Sequence, residues 1–555
     1  MSVASVSWLT GLWLLAVDNP TFWHALWAGR DDSSARSLFA LAGVALVLWA
    51  LLSLMVRLLC WPRLAKPAVV VLLLAAAAAA HFIGSYGILI DKGMIRNVLQ
   101  TDWREASDLA SLPLLIDLAL RGLLPAALVV VVRIEFRPWR ASIKGIAVHA
   151  ALTVALALAF AAAFFGDYAS AARNQRELRH MLTPTNVANG FFGLWKEHRR
   201  AELKLTRVGE DARRAPVPAL GRPLLVVLMV GETARAANFS LGGYGRSTNQ
   251  ALDGKDVVYF PNVTACGTDT ATSLPCMFSD LGAERFSVAA AGARENVLDI
   301  LTRAGVSVRW LDNNSGCKGI CQRVASVDLS RGTDPGLCDG QECLDGVLVK
   351  ALREELAASA GAAASASASA GASALGDGLI VLHMKGSHGP RYYRRYPSSS
   401  RRFEPTCDTN EIQRCGREAL RNTYDNGINY TSEVLAQTID LLAAQADRVD
   451  SVMLYVSDHG ESLGESGVYL HGLPRIMAPA EQTRVPMIAW LSAGAQLRLG
   501  VSRAALQQVA SVSYSHDNLT PTLLGSFGVR TRVYRAELDL LAKARAAGPG
   551  DGAAR

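Results

Sequence analysis

The sequence predicts a protein of two parts: a multi-pass α-helical membrane domain with five spans, then an α/β domain built on a mainly parallel central sheet. Three observations carry this. Five apolar stretches long enough to cross a bilayer lie within the first 166 residues. Eight of the nine cysteines lie beyond residue 260, in close pairs. In the second part, β-branched runs alternate with helical patterns. The chain has 555 residues and a net charge of +7. An excess so mild and scattered suits an anionic membrane surface and argues against a nucleic-acid partner, for which no zinc-finger or RNA-binding signature occurs.

The apolar stretches run over residues 5–28, 38–59, 69–90, 112–132 and 146–165. The first is interrupted by Asp18, Asn19 and Pro20. It does not read as a signal peptide, because no Lys or Arg precedes its apolar core and no small-residue cleavage site follows. One short loop carries Arg57, Arg63 and Lys66, and another Arg133, Arg137, Arg140 and Lys144. The positive-inside rule makes both cytoplasmic. With five spans the amino terminus is inside and everything after about Phe165 is outside. Asp117 and Arg121, one helical turn apart near the outer end of span four, are expected to form an ion pair, with lipid contact as the alternative.

The cysteines test this topology independently. Cys60 lies near the membrane segments. The rest fall in four pairs: Cys266 with Cys276, Cys317 with Cys321, Cys338 with Cys343, and Cys407 with Cys415. An even count at short spacing points to disulfides and an oxidising compartment, and sequential pairing is one choice among many. Metal binding by Cys317 and Cys321 is the alternative, weakened by the lack of a second pair of zinc-finger type. The domains read as 1–166 for the membrane part, 167–215 for an interfacial helix and linker, 216–545 for the catalytic domain and 546–555 for a flexible tail. "GFFGLWKEHRR" (190–200) fits a helix at the membrane interface or an ordinary amphipathic linker. "RAPVPALGRP" (214–223) reads as a hinge, and the Ala/Ser-rich run 357–376 as a floppy insertion without a chemical role.

Strands are expected at 223–230, 306–311, 378–384 and 450–457, with helices at 347–357 and 419–444 among them. Such sheets place ligands beyond the carboxyl ends of their strands. Here those ends carry Glu232, Asn314, His388, and Asp458 with His459 and Glu461, while His471 follows in "YLHG". Carboxylate plus imidazole is a ligand set that zinc accepts. Singly, each is as well explained as a structural histidine, a turn or a helix cap, and only their convergence on one edge carries weight. Between Cys266 and Cys276 stand four hydroxyls, Thr268, Thr270, Thr272 and Ser273. A divalent metal would turn one of them into a nucleophile, for which phosphate is the natural electrophile. Spacing does not choose among the four.

"GETARAANFSLGGYGRSTN" (231–249), "CGTDTATSLPCMFS" (266–279), "GSHGP" (386–390) and "SDHGESLGESGVYLHG" (457–472), in that order, closely resemble the lipopolysaccharide phosphoethanolamine transferases, which include the mobile colistin-resistance enzymes. The external domain of that family belongs to the alkaline phosphatase and sulfatase superfamily. The resemblance covers nearly the whole chain, with "NVLQTDWRE" (97–105) in an external loop. It implies Thr270 as nucleophile, and Glu232, Asp458 and His459 as ligands of one tightly held Zn2+ that Thr270 also contacts. It implies His388 and His471 around the substrate phosphate, as acid or base, and at a second zinc during turnover. It implies Asn314, Lys318 and Glu461 near the phosphoethanolamine headgroup, and Asn97 and Glu105 in lipid binding. Gln250 and the pair Met384-Lys385 depart from residues usual in the family; neither departure touches an expected metal ligand.

The implied activity moves phosphoethanolamine from phosphatidylethanolamine to a phosphate of lipid A through a phosphoethanolamine-threonine intermediate, with ping-pong kinetics. The added ammonium offsets lipid A charge and is expected to confer resistance to polymyxins and cationic peptides. The expected location is the bacterial inner membrane with the catalytic domain in the periplasm, acting as a monomer among membrane lipids. Arg391, Arg394, Arg395, Arg401 and Arg402 would either steer the acidic acceptor or form an ordinary solvated face. Transfer to a core sugar or another glycan stays open. A glycerol-phosphate transferase of the lipoteichoic acid synthase type and a catalytically dead receptor are further alternatives. A sulfatase would need Cys-x-Pro-x-Arg or Ser-x-Pro-x-Arg, and neither Cys266 nor Cys276 begins one.

Overall fold

A computed structural model describes residues 1–28, 35–174, 178–200, 205–214, 221–366 and 376–547. Most of the expected hinge, the end of the Ala/Ser-rich run and nearly all of the tail lie outside them. The chain forms two compact units, one of Met1–Arg96 with Ala110–Trp195, the other of Asn97–Leu109 with Lys196–Arg555.

In the first unit four helices among the described residues are long and apolar enough to span a bilayer: Ala35–Leu59, Ala65–Tyr86, Leu112–Val131 and Trp139–Phe165. The expected first span breaks into Val3–Val17 and Pro20–Ala28. Fifteen residues of helix reach only about 23 Å, short of a hydrocarbon core of about 30 Å. The break has a local cause. Asn19 Nδ2 donates to the Leu14 carbonyl at 2.8 Å and to the Thr183 carbonyl at 2.7 Å, and Pro20 brings no N–H to continue the ladder. Asp117 pairs with Arg121 Nε at 3.1 Å, and it also meets His81 Nδ1 at 2.8 Å. Helix Thr185–Arg200 leaves Phe191, Phe192 and Trp195 about half exposed, the aromatic side required by either reading of that segment.

The second unit is built on an eight-stranded sheet. Its strands are β1 (Leu224–Gly231), β2 (Val258–Thr264), β3 (Ser307–Asp312), β4 (Ala325–Asp328), β5 (Gly378–His383), β6 (Asp450–Ser457), β7 (Arg484–Leu491) and β8 (Tyr514–Ser515). Their order across the sheet is β8-β2-β7-β6-β1-β5-β3-β4. The run from β6 to β4 is wholly parallel, whereas β7 lies antiparallel to both its neighbours. Strands β1, β5 and β6 are buried along their full length, which explains why they read as unbroken apolar runs. Strands β2 and β7 lack that signal, since each contains a proline and β2 alternates buried with exposed residues.

Helix Arg417–Ala443 and helix Gly346–Ala366 are present. The latter extends well into the stretch expected to be floppy, in keeping with alanine's high helix propensity. All four disulfides pair sequentially. Cys266 is bonded to Cys276, Cys317 to Cys321, Cys338 to Cys343, and Cys407 to Cys415. Cys317 and Cys321 are therefore not metal ligands. Cys338 and Cys343 also face each other as an antiparallel bridge, so their bond closes a tight turn. Cys407 and Cys415 tie together the loop that leads into helix Arg417–Ala443.

Candidate active site

Strand register assembles the site. Gly231 at the end of β1 lies opposite Ser457 at the end of β6, so the next residues, Glu232 and Asp458, leave the sheet side by side. Val230 pairs with His383 of β5, and His383 with Asp312 of β3, which brings Asn314 to the same edge. Thr233 turns the chain sharply after Glu232, with φ of 52°. A β-branched residue adopts that conformation only under constraint. The constraint is visible: its N–H donates to Asp458 Oδ1 at 3.2 Å, and its carbonyl accepts the Tyr424 hydroxyl at 2.6 Å. Gly386 is packed so closely on the Glu232 backbone that a Cβ would lie 2.5 Å from the Glu232 carbonyl oxygen.

Glu232, Asp458 and His459 form the centre, each with one ligand atom within 4.8 Å of the others. All three are buried. His459 Nδ1 lies 2.9 Å from the Gly460 carbonyl, which requires the proton on Nδ1 and leaves the Nε2 lone pair facing inward. Nε2 is 3.4 Å from a carboxylate oxygen of Glu232 and of Asp458, and Asp458 Oδ2 finds no hydrogen-bond partner among the described residues. Burial, followed by the neighbouring Asp458 charge, pushes the Glu232 carboxyl up to about 7. Burial pushes Asp458 up to about 6. Two crowded carboxylates and an imidazole lone pair converge on one buried point. The residues present fit a divalent cation of the zinc class.

The structure separates the four hydroxyls. Thr268 Oγ1 donates to the Leu473 carbonyl at 2.6 Å, and Ser273 Oγ accepts the Gly267 N–H at 3.0 Å. The Thr272 methyl packs over Gly267. Thr270 Oγ1 alone of the four meets the triad, 3.0 Å from Glu232 Oε2 and 3.3 Å from His459 Nε2. Thr270 opens helix Thr270–Met277, capped by the Asp269 carboxylate on the Thr272 N–H and tied back by the Cys266–Cys276 disulfide. His516, which no sequence motif marks, fastens this loop to β6. It accepts the Cys266 N–H on Nδ1 at 3.1 Å and donates from Nε2 to the Ser457 carbonyl at 2.9 Å. Burial holds its pKa down at about 4, so it stays neutral in that role.

The other expected residues divide. Asn314 Nδ2 donates to Glu232 Oε2 at 2.7 Å, so it orients an expected ligand. Lys318 is folded onto Ser315 Oγ at 2.9 Å. Glu461 is buried and accepts both the Tyr392 hydroxyl and His471 Nδ1, the latter at 2.7 Å. Burial opposes the charge of His471, but Glu461 outweighs it and raises the pKa to about 9. The His471 ring lies 4.4 Å from that of His459 and 5.7 Å from that of His388. His388 is pushed the other way, well below the usual range, by burial and the nearby Lys385 ammonium. Glu105 reaches this rim, 3.8 Å from His388 Nε2 and 4.0 Å from Lys385 Nζ. Asn97 sits half-buried on helix Lys92–Gln100, and no contact from its side chain to the triad is found among the described residues.

Three further groups escaped the sequence reading. His383, the last residue of β5, bonds Asp312 through Nδ1 at 3.0 Å and lies behind Asn314. Asp345 accepts the backbone N–H of both Lys385 and Gly386, fixing the loop that carries His388. Tyr392 supports Glu461. His383 at a strand end was the one available signal.

The chain matches the sulfatase family profile over residues 225–529 and that of the phosphoethanolamine transferases EptA/EptB over residues 48–199. It is 42% identical to phosphoethanolamine transferase EptA of Escherichia coli K12 over 532 residues, 95% of this chain and 94% of that one. The chain belongs to the phosphoethanolamine transferase family. This transferase is also 36% identical to phosphatidylethanolamine transferase Mcr-1 of Escherichia coli, over 95% of this chain and 94% of that one. Among solved structures it is similar to the integral membrane lipooligosaccharide phosphoethanolamine transferase A (EptA) from Neisseria meningitidis. That match has a TM-score of 0.91 at 35% identity and covers 97% of this chain and 98% of that one.

Proposed function

We propose that this transferase moves phosphoethanolamine from phosphatidylethanolamine to a phosphate of lipid A, with Thr270 as the acceptor of the group in transit. The observation that carries the reading is that Thr270, of four hydroxyls in one loop, is the one aimed at the buried triad. Zn2+ is the ion we assign to Glu232, Asp458 and His459, where it would supply Lewis acidity toward the threonine oxygen and the phosphate.

The protein groups perform the rest. Thr270 Oγ forms a bond to phosphorus, and the bond from phosphorus to the diacylglycerol oxygen breaks. Glu232 Oε2 is the nearest acceptor for the hydroxyl proton. The amino terminus of helix Thr270–Met277 lies beside the transferred phosphate and favours its negative charge. His471, held protonated by Glu461, is the group equipped to give a proton to the departing diacylglycerol oxygen. In the second half, a phosphate oxygen of lipid A bonds to phosphorus, the bond from phosphorus to Thr270 Oγ breaks, and the threonine oxygen takes back the proton held at Glu232. The site then faces the periplasm, the compartment in which its four disulfides are stable.

Mass spectrometry of lipid A from cells with and without the gene tests this. Lipid A that gains phosphoethanolamine with the wild-type chain but not with Thr270→Ala supports it. Unchanged lipid A with a modified core sugar moves the acceptor elsewhere, and a glycerol-phosphate adduct replaces the donor. A Thr270→Ala chain as active as wild type overturns the threonine step.

A further inference from the structure

Glu105 and Asp108 stand three residues apart on the short helix Trp103–Asp108, whose start is capped by Asp102. That spacing puts both carboxylates on one helix face. Glu105 touches the His388 rim, and Asp108 ends in a buried ionic cluster on the same unit. Asp108 Oδ1 meets Arg391 Nη1 at 2.9 Å, and Oδ2 meets Arg395 Nη2 at 2.9 Å. The Asp108 carbonyl accepts Asn410 Nδ2 at 3.0 Å, and the Ser107 carbonyl accepts Arg391 Nη2 at 3.3 Å.

Arg395 is the pivot. Its side chain is 2% exposed. Nη2 holds Asp108, Nη1 holds Glu342, and Nε donates to the His388 carbonyl at 2.7 Å. One rigid guanidinium therefore grips the two chain segments that bring Glu105 and His388 together. A fork of fixed geometry can do this, and a lysine ammonium cannot. The contacts it governs, at 3.8 and 4.0 Å, are loose enough to open with a small shift of the helix.

We propose that Asp108 and Arg395 are positioning residues, forming a clamp that sets Glu105 against His388 and Lys385 at the rim of the site. The clamp makes the 97–109 segment a working part of the catalytic unit. Placement errors near 1 Å cost up to about a hundredfold in rate, so the clamp has leverage although it touches no reacting atom. This inference rests on the transferase reading for its kinetic consequence, but not for its structural one.

The test compares Asp108→Asn, Glu105→Gln and the double variant in the full chain in detergent, with headgroup-labelled phosphatidylethanolamine and lipid A. Asp108→Asn is expected to lower kcat by about tenfold or more, with zinc content unchanged. The double variant should be no slower than the slower single one, because both changes remove the same contact. Losses that multiply, or an Asp108→Asn chain of full activity, overturn the clamp. Arg395→Lys should behave as Asp108→Asn does, and normal turnover in a folded Arg395→Lys chain also overturns it. Hydrogen exchange gives a readout independent of activity. Amides of Trp103–Leu109 should lose protection about tenfold in Asp108→Asn, and unchanged protection overturns the clamp whether or not transfer occurs. A wild-type chain with a protected segment and no transfer supports the clamp and removes the transferase reading alone.

Discussion

The site has two halves built on different principles. One half rests on the sheet: Glu232, Asp458, His459 and Asn314 follow strand ends, with Thr270 laid against them at 3.0–3.3 Å. The other half rests on loops: His388, Lys385, His471 and Glu105 meet at the rim, with Glu105 at 3.8–4.0 Å from its partners. The sheet half draws its precision from register, which cannot shift by a fraction of a residue. The loop half draws its precision from side-chain ties to buried acids, namely Asp345, Glu461 and Asp108. The proposed double displacement would need both kinds. Its covalent centre would have to hold still through two reactions, whereas the rim would have to admit two different lipids.

The largest effect should separate the halves. Asp458→Asn keeps the shape of the side chain and removes one of two crowded charges, so we expect a loss on the order of 10³-fold in transfer rate with loss of bound zinc. Glu105→Gln, changed at the loose rim, should cost about tenfold and leave zinc in place. Transfer assays beside metal analysis check both numbers. Equal losses, or loss of zinc from Glu105→Gln, would erase the distinction.

That distinction also marks what the sequence revealed. Strands β1, β3, β5 and β6 announce themselves as apolar runs, so Glu232, Asn314, Asp458 and His459 were legible as residues at their ends. The parallel sheet followed from the same runs. Strands β2 and β7 did not, because a proline interrupts each and β2 alternates buried with more exposed residues. Thr270 was named only through family resemblance. Its selection depends on where Thr268 and Ser273 send their own hydrogen bonds, over separations of 205 and 6 residues. The Asp108–Arg395 pair spans 287 residues, and no local rule links such positions. The break inside the first apolar stretch was not legible, since hydropathy averages through Asp18-Asn19-Pro20 while the backbone breaks there.

A second, smaller effect concerns the ion itself. Glu232 and Asp458 stand at about 7 and about 6, above ordinary values of 4.5 and 3.8. Below the lower values both folded and unfolded chains are protonated, and the pair costs nothing. As pH rises through the window up to about 7, the unfolded chain releases its protons first, so folding is increasingly penalised. The zinc-free full chain should therefore melt at a lower temperature at pH 8 than at pH 5.5, and added zinc should restore more stability at pH 8. Thermal melts with and without zinc at the two pH values check the sign. A zinc-free chain that is more stable at pH 8 would mean that the two carboxylates are not crowded, and the sheet half would lose its claim to hold a cation.

The smallest effect concerns the basic run after the loop half. Five arginines between 391 and 402 suggest a steering patch for an anionic acceptor, yet four of their charges are already engaged by carboxylates. Arg391 and Arg395 serve Asp108, Arg394 pairs with Asp339 at 2.7 Å, and Arg401 meets Glu404 and Asp408 at 3.2 and 3.1 Å. Arg402 donates to the Ser247 carbonyl at 3.2 Å. A neutralised guanidinium projects little field beyond a Debye length, and exposed pairs are worth at most about 1 kcal/mol. Arg394→Gln and Arg401→Gln should thus change the KM for lipid A by less than about twofold, with little added salt dependence. Initial rates at low and moderate ionic strength decide it. A KM several times higher, relieved by neither donor nor zinc, would show that these two arginines exchange their acidic partners for the acceptor's phosphates. The loop half would then recruit substrate as well as position it.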